Sequence, residues 1–484
     1  MRGVTTPRLA ASQVPRQFPA SLFEQGVGWL DGHAEPWTVG LAVGLAGPVE
    51  VEALRLAVAD AVARHPLLRA RETDQAPAED ARWRPWWSVQ PPGPVPFEQA
   101  LAPGPGEGDA RVDEFVSRPF DLREEGPVRA LWAAGIGGGK LVLSVAHQAC
   151  DGVGAARLAE HVLAAYGRRL AGRAPDRVEE PVGRFLREPV TLGRRVLPAA
   201  LRPAGGLAGP GGPPGDVDPH GPAGAALAAA GRLARPVVRV QPDGGWPEAP
   251  GHVTASASFP LGELPALAVA REVAGATVND VLVAALHRAV GAWQAGHGAG
   301  GGGRVSVLVP VNLRPPGARD AGAANVLGAM QVVTSPGERA TLAVAVAAVA
   351  SRTGARKRSG LVLAPHAGLL PATLLTRRGA ARLLPLGRAV LARTLDTGML
   401  SNLGRLSWPI DLVHPGGATV AGATFYPPTW RTMRVALGAL TLWDRLHLGL
   451  RVPRARFSPE AAEALLGLVA AELSAPAEPS GAPR

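Results

Sequence analysis

LVLSVAHQACDGVGAARLAEHV, residues 141–162, joins an apolar run to a helical pattern through a short loop at 147–152. Almost every residue of 141–146 is β-branched or apolar, which is typical of a strand buried on both faces. The helical half repeats apolar side chains every four residues, at Leu158, Val162 and Tyr166. The stretch therefore predicts a strand, a loop and a helix.

Three residues of this loop suit chemistry at a strand end. His147 can act as a general base, because the ordinary pKa of histidine lies near working pH. Asp151 can orient the histidine, pair with an arginine elsewhere, or cap the following helix. Gly152 allows a tight turn and close approach to a ligand, where its N–H could help to hold an oxyanion. The loop is therefore a candidate active-site loop, with the role of its aspartate left open.

The composition describes a globular protein. Its 484 residues are 46% apolar, which is enough core material for two medium domains or one two-lobed unit. The formal charge is +10, and nearly all basic residues are arginine. Such a charge suits nucleic acid, anionic lipid or an acidic partner such as a phosphopantetheine carrier, and GC-rich codon usage explains it equally well.

Several classes of protein are disfavoured. Basic residues do not alternate with aromatic residues in a track, so we expect no nucleic-acid partner. A single cysteine, Cys150, argues against a disulfide framework, and no cluster has the spacing of metal ligands. The longest uncharged apolar run, 342–350, is shorter than the roughly 18 residues that span a bilayer. We expect a cytoplasmic protein without a metal, and the arginines of 361–395 leave membrane association possible but not favoured.

A Pro/Gly-rich segment divides the chain into two halves. Residues 203–224 hold fourteen Pro or Gly, so we predict a linker or surface loop over 201–232. The flanking segments 1–200 and 233–475 are predicted as an N-terminal and a C-terminal lobe, followed by a disordered tail at 476–484. Both lobes mix strand and helix patterns, which predicts an α/β (α+β) fold with a mixed sheet in each lobe. Strands are expected near 37–45, 83–89, 128–134, 253–259, 304–314, 418–425, 434–442 and 445–452, and helices near 49–65, 261 onward, 276–293, 361–395 and 458 onward.

The HxxxDG of residues 147–152 resembles the signature of the chloramphenicol-acetyltransferase-like superfamily, which includes nonribosomal peptide synthetase condensation domains and bacterial wax ester synthase/diacylglycerol acyltransferases. Further segments resemble family motifs in the same order: RHPLLRAR (64–71), RPFDLREEGPVRALW (118–132), TVNDVLVAALHRAV (277–290), VPVNLR (309–314), Asn325 in the position of a GN motif, and SNLG (401–404). The resemblance covers about residues 20–473.

The resemblance assigns roles to matching positions. His147 corresponds to the histidine that deprotonates or orients the acceptor for attack on an acyl thioester. Asp151 corresponds to an aspartate that holds the loop through an arginine, for which Arg314 is the candidate. Gly152 would keep the junction open to substrate. The family fold implies two lobes with an active-site tunnel between them.

Four more polar residues are tunnel-lining candidates: Asn279, Asn325, Ser401 and Asn402. A helix cap explains Asn279 equally well, and turn chemistry explains Asn402. Cys150 lies inside the motif, but we interpret it as a small buried side chain. The first histidine of the family's usual pair is Ala146 here, and the DFGWG of the plant branch is absent.

The resemblance implies an acyltransferase that makes an ester or an amide, acting in natural-product biosynthesis. Its acyl thioester would be carried on phosphopantetheine, either of an acyl or peptidyl carrier protein or of coenzyme A, with no bound cofactor. We expect a monomer. Two alternatives remain: a membrane-associated wax ester or triacylglycerol-type O-acyltransferase, and a catalytically silent relative that binds a carrier protein.

Overall fold

The computed structural model describes most of both lobes. The described residues are 17–30, 36–73, 85–102, 107–176, 237–244, 249–299, 302–314, 322–359, 397–408, 418–429 and 433–476. The expected linker at 201–232, the helices at 361–395 and all but the first residue of the expected tail lie outside them.

The N-terminal lobe contains two sheets and four helices in its described part. Its elements are β1 (Gln17–Pro19), α1 (Leu22–Leu30), β2 (Thr38–Ala46), α2 (Val51–Ala63), β3 (Ala70–Thr73), β4 (Trp86–Val89), β5 (Phe97–Leu101), α3 (Glu107–Val116), β6 (Val128–Gly135), β7 (Gly138–Ala146) and α4 (Gly152–Leu170). The small sheet has the order β1-β4-β3. The helices α2 and α4 pack together on the larger sheet.

The C-terminal lobe is built around a six-stranded sheet. Its described elements are β8 (His252–Pro260), α5 (Val269–Glu272), α6 (Val278–Gly296), β9 (Val305–Asn312), β10 (Leu327–Thr334), α7 (Leu342–Ser359), β11 (Gly398–Leu406), β12 (Thr419–Tyr426), β13 (Val435–Leu442), β14 (Arg445–Pro453) and α8 (Pro459–Ser474). The sheet order is β10-β9-β11-β13-β14-β8, and α6 packs between α7 and α8.

One strand crosses from the C-terminal half into the other lobe. The five-stranded sheet of the N-terminal lobe has the order β12-β2-β7-β6-β5, in which β12 pairs antiparallel with β2. Glycines let β12 also lie flat against the C-terminal sheet: a Cβ at Gly438 or Gly449 would lie 2.0 or 2.4 Å from the Phe425 carbonyl oxygen. The predicted lobe boundary did not include this strand exchange.

Two local predictions were wrong. Instead of a helix from Leu261, two short 3-10 turns precede the four-residue α5, because Pro265 interrupts regular helical hydrogen bonding. The SNLG segment is not a simple turn; it lies within β11, where the pairing with β13 shifts register between Asn402 and Arg405. The uncharged run 342–350 begins α7, a helix that the sequence analysis did not predict.

Candidate active site

His147 follows the last residue of β7. The pairing of Thr38 with Ala146 places the start of β2 beside it, and the His147 N–H donates to the Trp37 carbonyl oxygen at 2.9 Å. The Trp37 ring stacks on the imidazole with centroids 5.8 Å apart, and Phe23 of α1 meets it edge-on at the same separation. Two aromatic rings therefore restrict the orientation of a side chain that is only 8% exposed.

The hydrogen bond of the imidazole selects its tautomer. Nδ1 of His147 lies 3.0 Å from the Cys150 carbonyl oxygen. Because a carbonyl oxygen only accepts, Nδ1 carries the hydrogen and Nε2 keeps the lone pair. Burial lowers the pKa of His147, against the smaller raising effect of the Asp151 charge. The ring is therefore neutral near neutral pH and can accept a proton at Nε2.

Backbone hydrogen bonds shape the loop around Ala146. The Ala146 carbonyl oxygen accepts from the N–H groups of Ala149 and Cys150, at 2.9 and 3.2 Å, and its own N–H donates to Pro127. Its methyl group is buried in the core of the N-terminal lobe. Alanine supplies these backbone groups as well as histidine would, so the departure from the family's paired histidines leaves these three backbone hydrogen bonds of residue 146 in place.

Asp151 is fully engaged in holding the loop. Its two carboxylate oxygens accept from Arg314, Nη1 at 2.8 Å and Nη2 at 3.0 Å, and both side chains are nearly inaccessible. The same oxygens accept from the N–H of Gly154, which makes Asp151 the N-cap of α4, and from the N–H of Val326. The structure thus places Arg314 against Asp151 where the resemblance implies it, and these contacts support a structural role for the carboxylate.

Asn325 clamps the loop from the C-terminal half of the chain. Its Nδ2 donates to the carbonyl oxygens of His147 at 2.7 Å and Gln148 at 2.9 Å. Beside it, the Ala324 carbonyl oxygen accepts from Arg314 Nη2 at 2.7 Å. Asn325 is only 3% exposed. It was predicted to line a tunnel, whereas its amide in the structure holds the histidine loop.

Gly152 allows close packing at the junction between the lobes. A Cβ there would lie 2.7 Å from both Leu403 Cδ2 and Phe425 Cζ, so the first turn of α4 can approach β11 and β12 only without a side chain. At Gly154 a Cβ would lie 2.5 Å from Cys150 Sγ. The substrate-access role expected for Gly152 stays a prediction, and packing is the role that the contacts show.

The predicted residues Ser401 and Asn402 lie outside the histidine loop. Ser401 and Asn402 lie in β11, next to Leu403, which packs on the start of α4. Asn402 Oδ1 accepts from the N–H of Gly404, whose φ of 75° marks the bulge. The Asn402 side chain therefore hydrogen-bonds across the bulge of β11, and its tunnel-lining role stays a prediction.

Asn279 belongs to the start of a different helix. It is half-buried in the first turn of α6, where Thr277 and Asp280 form a capping box. The cap is thus made by its neighbours, and no hydrogen bond of the described residues joins Asn279 to the histidine loop. Cys150 is fully buried, and burial raises the pKa of its thiol well above the ordinary value, so it is not a reactive nucleophile.

Sequence reasoning missed an arginine that joins the lobes beside the histidine. Arg451 of β14 is completely buried and donates through Nη1 to the Thr38 carbonyl oxygen at 2.6 Å, and through Nη2 to Thr38 Oγ1 and the Val116 carbonyl oxygen at 2.9 Å each. Thr38 follows Trp37, whose ring stacks on His147. Neither Arg451 nor the aromatic pair of Trp37 and Phe23 carries a sequence signal, because strand pairing and lobe contact bring them together.

The described ranges also bear on metal binding and membrane insertion. No group of three His, Cys, Asp or Glu side chains there could hold a metal ion. Within the same ranges, every helix is too short or too polar to cross a bilayer.

Comparison with known proteins relates this geometry to a family. None of the models of known protein families that were compared with this chain matches it. An uncharacterized protein of Mycobacterium tuberculosis (strain H37Rv) is 30% identical over 370 residues, which cover 75% of this chain and 78% of the relative. A shorter segment of 184 residues, 36% of this chain, is 34% identical to the isonitrile lipopeptide synthase of the same organism and covers 7% of that protein.

Solved structures show the same fold. The first condensation domain of the calcium-dependent antibiotic synthetase, in complex with a substrate analogue, aligns with a TM-score of 0.62 at 16% identity, over 96% of this chain and 97% of its own. The X-domain from teicoplanin biosynthesis aligns with a TM-score of 0.56 at 18% identity, over 97% and 96%. The predicted two-lobed α/β fold is confirmed.

Proposed function

Because the chain belongs to the chloramphenicol-acetyltransferase-like superfamily, in its condensation-type branch, we propose that it transfers an acyl group from a thioester to an alcohol or amine, with His147 as the general base. The observation that carries this proposal is the hydrogen bonding of the His147 imidazole. Its Nδ1 is fixed on the Cys150 carbonyl oxygen, and its neutral Nε2 is left to accept a proton.

The chemistry needs one proton transfer and no covalent enzyme intermediate. His147 Nε2 accepts the proton of the acceptor O–H or N–H while the acceptor oxygen or nitrogen attacks the thioester carbonyl carbon. The tetrahedral adduct then expels the thiolate, and the imidazolium returns the proton to the sulfur. Because a thioester is already activated, alignment of the two substrates and removal of one proton supply much of the acceleration.

The surrounding residues position the base. Asp151 and Arg314 fix the loop, and the Asn325 amide holds the His147 carbonyl oxygen, while Trp37 and Phe23 restrict the ring. An acid–base group needs to be placed within hydrogen-bonding reach of the proton that it takes. These contacts support a positioning role for Asp151 and argue against its direct part in proton transfer.

The donor is a thioester on phosphopantetheine, carried by an acyl or peptidyl carrier protein or by coenzyme A. One structural neighbour, the starter condensation domain of rhizomide synthetase, was solved as a mutant in complex with C8-CoA and Leu-SNAC. The +10 charge of this chain suits an acidic carrier. The relationship to the isonitrile lipopeptide synthase favours a role in natural-product biosynthesis.

Intact-mass analysis tests the proposal. The protein is incubated with panels of acyl-carrier proteins and acyl-CoA thioesters together with alcohol and amine acceptors, and acyl loss from the donor is measured with the mass of the new ester or amide. We expect product with the wild type and a loss on the order of 10²-fold or more with His147→Ala. His297→Ala, at an exposed histidine, is the control. Full turnover of His147→Ala would overturn the assignment of the base.

A further inference from the structure

The histidine of the RHPLLRAR segment lies just beyond the end of α2. Pro66 interrupts the helix there, and His65 takes an extended conformation (φ −111°, ψ 96°), which a residue before proline favours. Its N–H donates to the Val62 carbonyl oxygen at 3.0 Å, and its carbonyl oxygen accepts from the Leu68 N–H at 2.9 Å. The side chain is only 1% exposed. Backbone hydrogen bonds on both sides therefore fix a buried imidazole.

A second histidine, on the facing helix, completes a buried pair. The helices α2 and α4 pack together, and His161 of α4 places its Nδ1 2.9 Å from His65 Nε2. The two ring planes differ by only 14°. Among the hydrogen bonds of the described residues, none joins either ring to a carboxylate. Each ring therefore depends on the other, or on backbone, for its hydrogen bonds.

The opposite nitrogen of His65 binds backbone from the C-terminal half of the chain. His65 Nδ1 accepts from the Ala323 N–H at 3.4 Å. Although Ala323 lies far along the sequence, it is buried in the core of the N-terminal lobe. It comes close to α4 at Gly154, where a Cβ would lie 3.1 Å from Ala323 Cα. The His65–His161 pair thus contacts the first residue of the segment 323–326.

The segment 323–326 holds the histidine loop. The Ala324 carbonyl oxygen accepts from the Asp151 N–H at 3.4 Å, and the Val326 N–H donates to Asp151 Oδ2 at 2.9 Å. Between them, the Asn325 amide donates to the His147 carbonyl oxygen. All four residues of the segment therefore bind either the loop or His65, so the position of the Asn325 amide depends in part on His65.

These hydrogen bonds fix the tautomer of both rings. Because a backbone N–H only donates, His65 Nδ1 keeps its lone pair and the ring hydrogen lies on Nε2. His161 Nδ1 must then accept, and its own hydrogen lies on Nε2. Burial, the neighbouring His161 and Arg64 lower the pKa of His65 well below its ordinary value, and burial lowers that of His161 to about 3. Both rings are therefore neutral near neutral pH, and a further hydrogen on the pair would break one of the two hydrogen bonds.

We propose that His65 is a positioning residue for the catalytic loop: its Nδ1 lone pair, maintained by the hydrogen bond to His161, holds the segment 323–326 that clamps His147. The inference rests on the proposed function, in which the placement of the base within reach of the acceptor proton sets the rate. His65 acts through Ala323 and Asn325, without touching the reacting atoms. The property that the position requires is a hydrogen-bond acceptor at the place of Nδ1.

Two substitutions of His65 separate this acceptor from the rest of the side chain. In His65→Asn the amide oxygen lies near the place of Nδ1 and can accept from Ala323, whereas in His65→Gln the polar atoms reach the place of Nε2 and face His161 instead. Hydrogen–deuterium exchange is measured by mass spectrometry on a peptide that includes residues 322–327. We expect exchange about fivefold faster in His65→Gln, because one backbone hydrogen bond is lost, and nearly wild-type exchange in His65→Asn. Exchange in α8 is the internal control and should not change.

Steady-state kinetics of acyl transfer give the second readout. We expect kcat of His65→Gln to fall on the order of tenfold with KM unchanged, because the base is displaced while the groups that bind substrate stay in place. His65→Asn should recover most of kcat. The exposed His297→Gln is the control and should keep wild-type values.

The partner histidine tests the same hydrogen bond if a His65 variant does not fold. His161→Leu removes the acceptor that keeps the His65 hydrogen on Nε2, whereas His161→Asn keeps an acceptor there, so exchange at 322–327 should be faster in the leucine variant alone. Equal exchange at 322–327 within each pair of variants would overturn the inference. A wild-type protein without acyl transfer would contradict the proposed function instead, and the exchange comparison would still decide whether His65 holds the segment.

Discussion

At the scale of single residues, the loop at 147–152 contains the proposed base, His147, and a residue that holds the loop in place, Asp151. His147 keeps an unprotonated Nε2, while every contact of the Asp151 carboxylate is to a group that holds backbone or loop in place. The sequence alone left three roles open for Asp151. The ion pair with Arg314 and the bond to Gly154 show that it pairs and caps at once.

Replacement of Asp151 measures how much its ion pair and hydrogen bonds contribute to the free energy of unfolding. Asp151→Asn keeps the shape of the side chain but leaves the Arg314 charge buried without its counterion, so we expect the free energy of unfolding to fall by about 3–5 kcal/mol. Urea unfolding at pH 7.5 measures the loss. The matched control is Glu114→Gln, which removes the partner of the exposed Arg111 and Arg118 and should cost no more than about 1 kcal/mol. Equal costs for the two variants would contradict the structural role.

At the scale of elements, glycines permit the close approach of strands and a helix from different lobes. The first turn of α4 reaches β11 and β12 at Gly152, and β12 lies across the C-terminal sheet at Gly438 and Gly449. These contacts bring the histidine loop, which the N-terminal lobe supplies, against elements of the C-terminal half.

Gly152→Ala tests this packing. The added methyl group would overlap Leu403 and Phe425, so we expect a loss of about 1–3 kcal/mol in the free energy of unfolding, together with lower acyl transfer. The combination with Phe425→Leu should recover part of the stability. Gly467→Ala, in α8 with open space around its Cβ, is the control and should stabilise slightly. A Gly152→Ala protein as stable as the wild type would show that the junction is looser than described.

Periodicity predicted most of the described strands and four of the eight described helices, α2, α4, α6 and α8, because apolar spacing is a local property. The apolar run before His147 became β7, and the four-residue repeat after it became α4. Pairing is not local: β12 enters the N-terminal sheet through contacts between Thr419–Tyr426 and Gly40–Ala46, which are about 380 residues apart in sequence. Arg314 and Asn325 lie in segments that resemble family motifs, so the resemblance could suggest them. Trp37 and Arg451 lie in no such motif, and only the three-dimensional structure shows that they lie near the histidine loop.

At the scale of the whole molecule, the two lobes share several buried connections. They are the strand β12, the Asn325 clamp, the Asp151–Arg314 pair and the Arg451 contacts. Buried histidines lie in both lobes. Burial lowers the pKa of His161 and of His287 to about 3, and that of His447 to about 4.

These histidines predict acid sensitivity. Below pH 6.5 the unfolded chain binds protons that the folded chain does not, so stability falls as the pH decreases from 6.5 toward the folded pKa values. Each such histidine contributes a loss of up to about 1.4 kcal/mol per pH unit. Urea midpoints between pH 7.5 and 5 should therefore fall with acidity, and His287→Gln should reduce the slope, with the exposed His297→Gln as its control. An unchanged slope in His287→Gln would contradict the buried neutral state of that histidine.

The most direct test of the central claim, that His147 is the base for acyl transfer, is the pH dependence of kcat/KM for the wild type and His147→Gln. Burial lowers the pKa of His147, so wild-type kcat/KM should be flat above about pH 6.5 and fall only at lower pH, with a midpoint below that ordinary value. The His147→Gln protein should be slower by about 10²-fold or more and should lose this titration. A variant with the wild-type rate and the same midpoint would contradict the account.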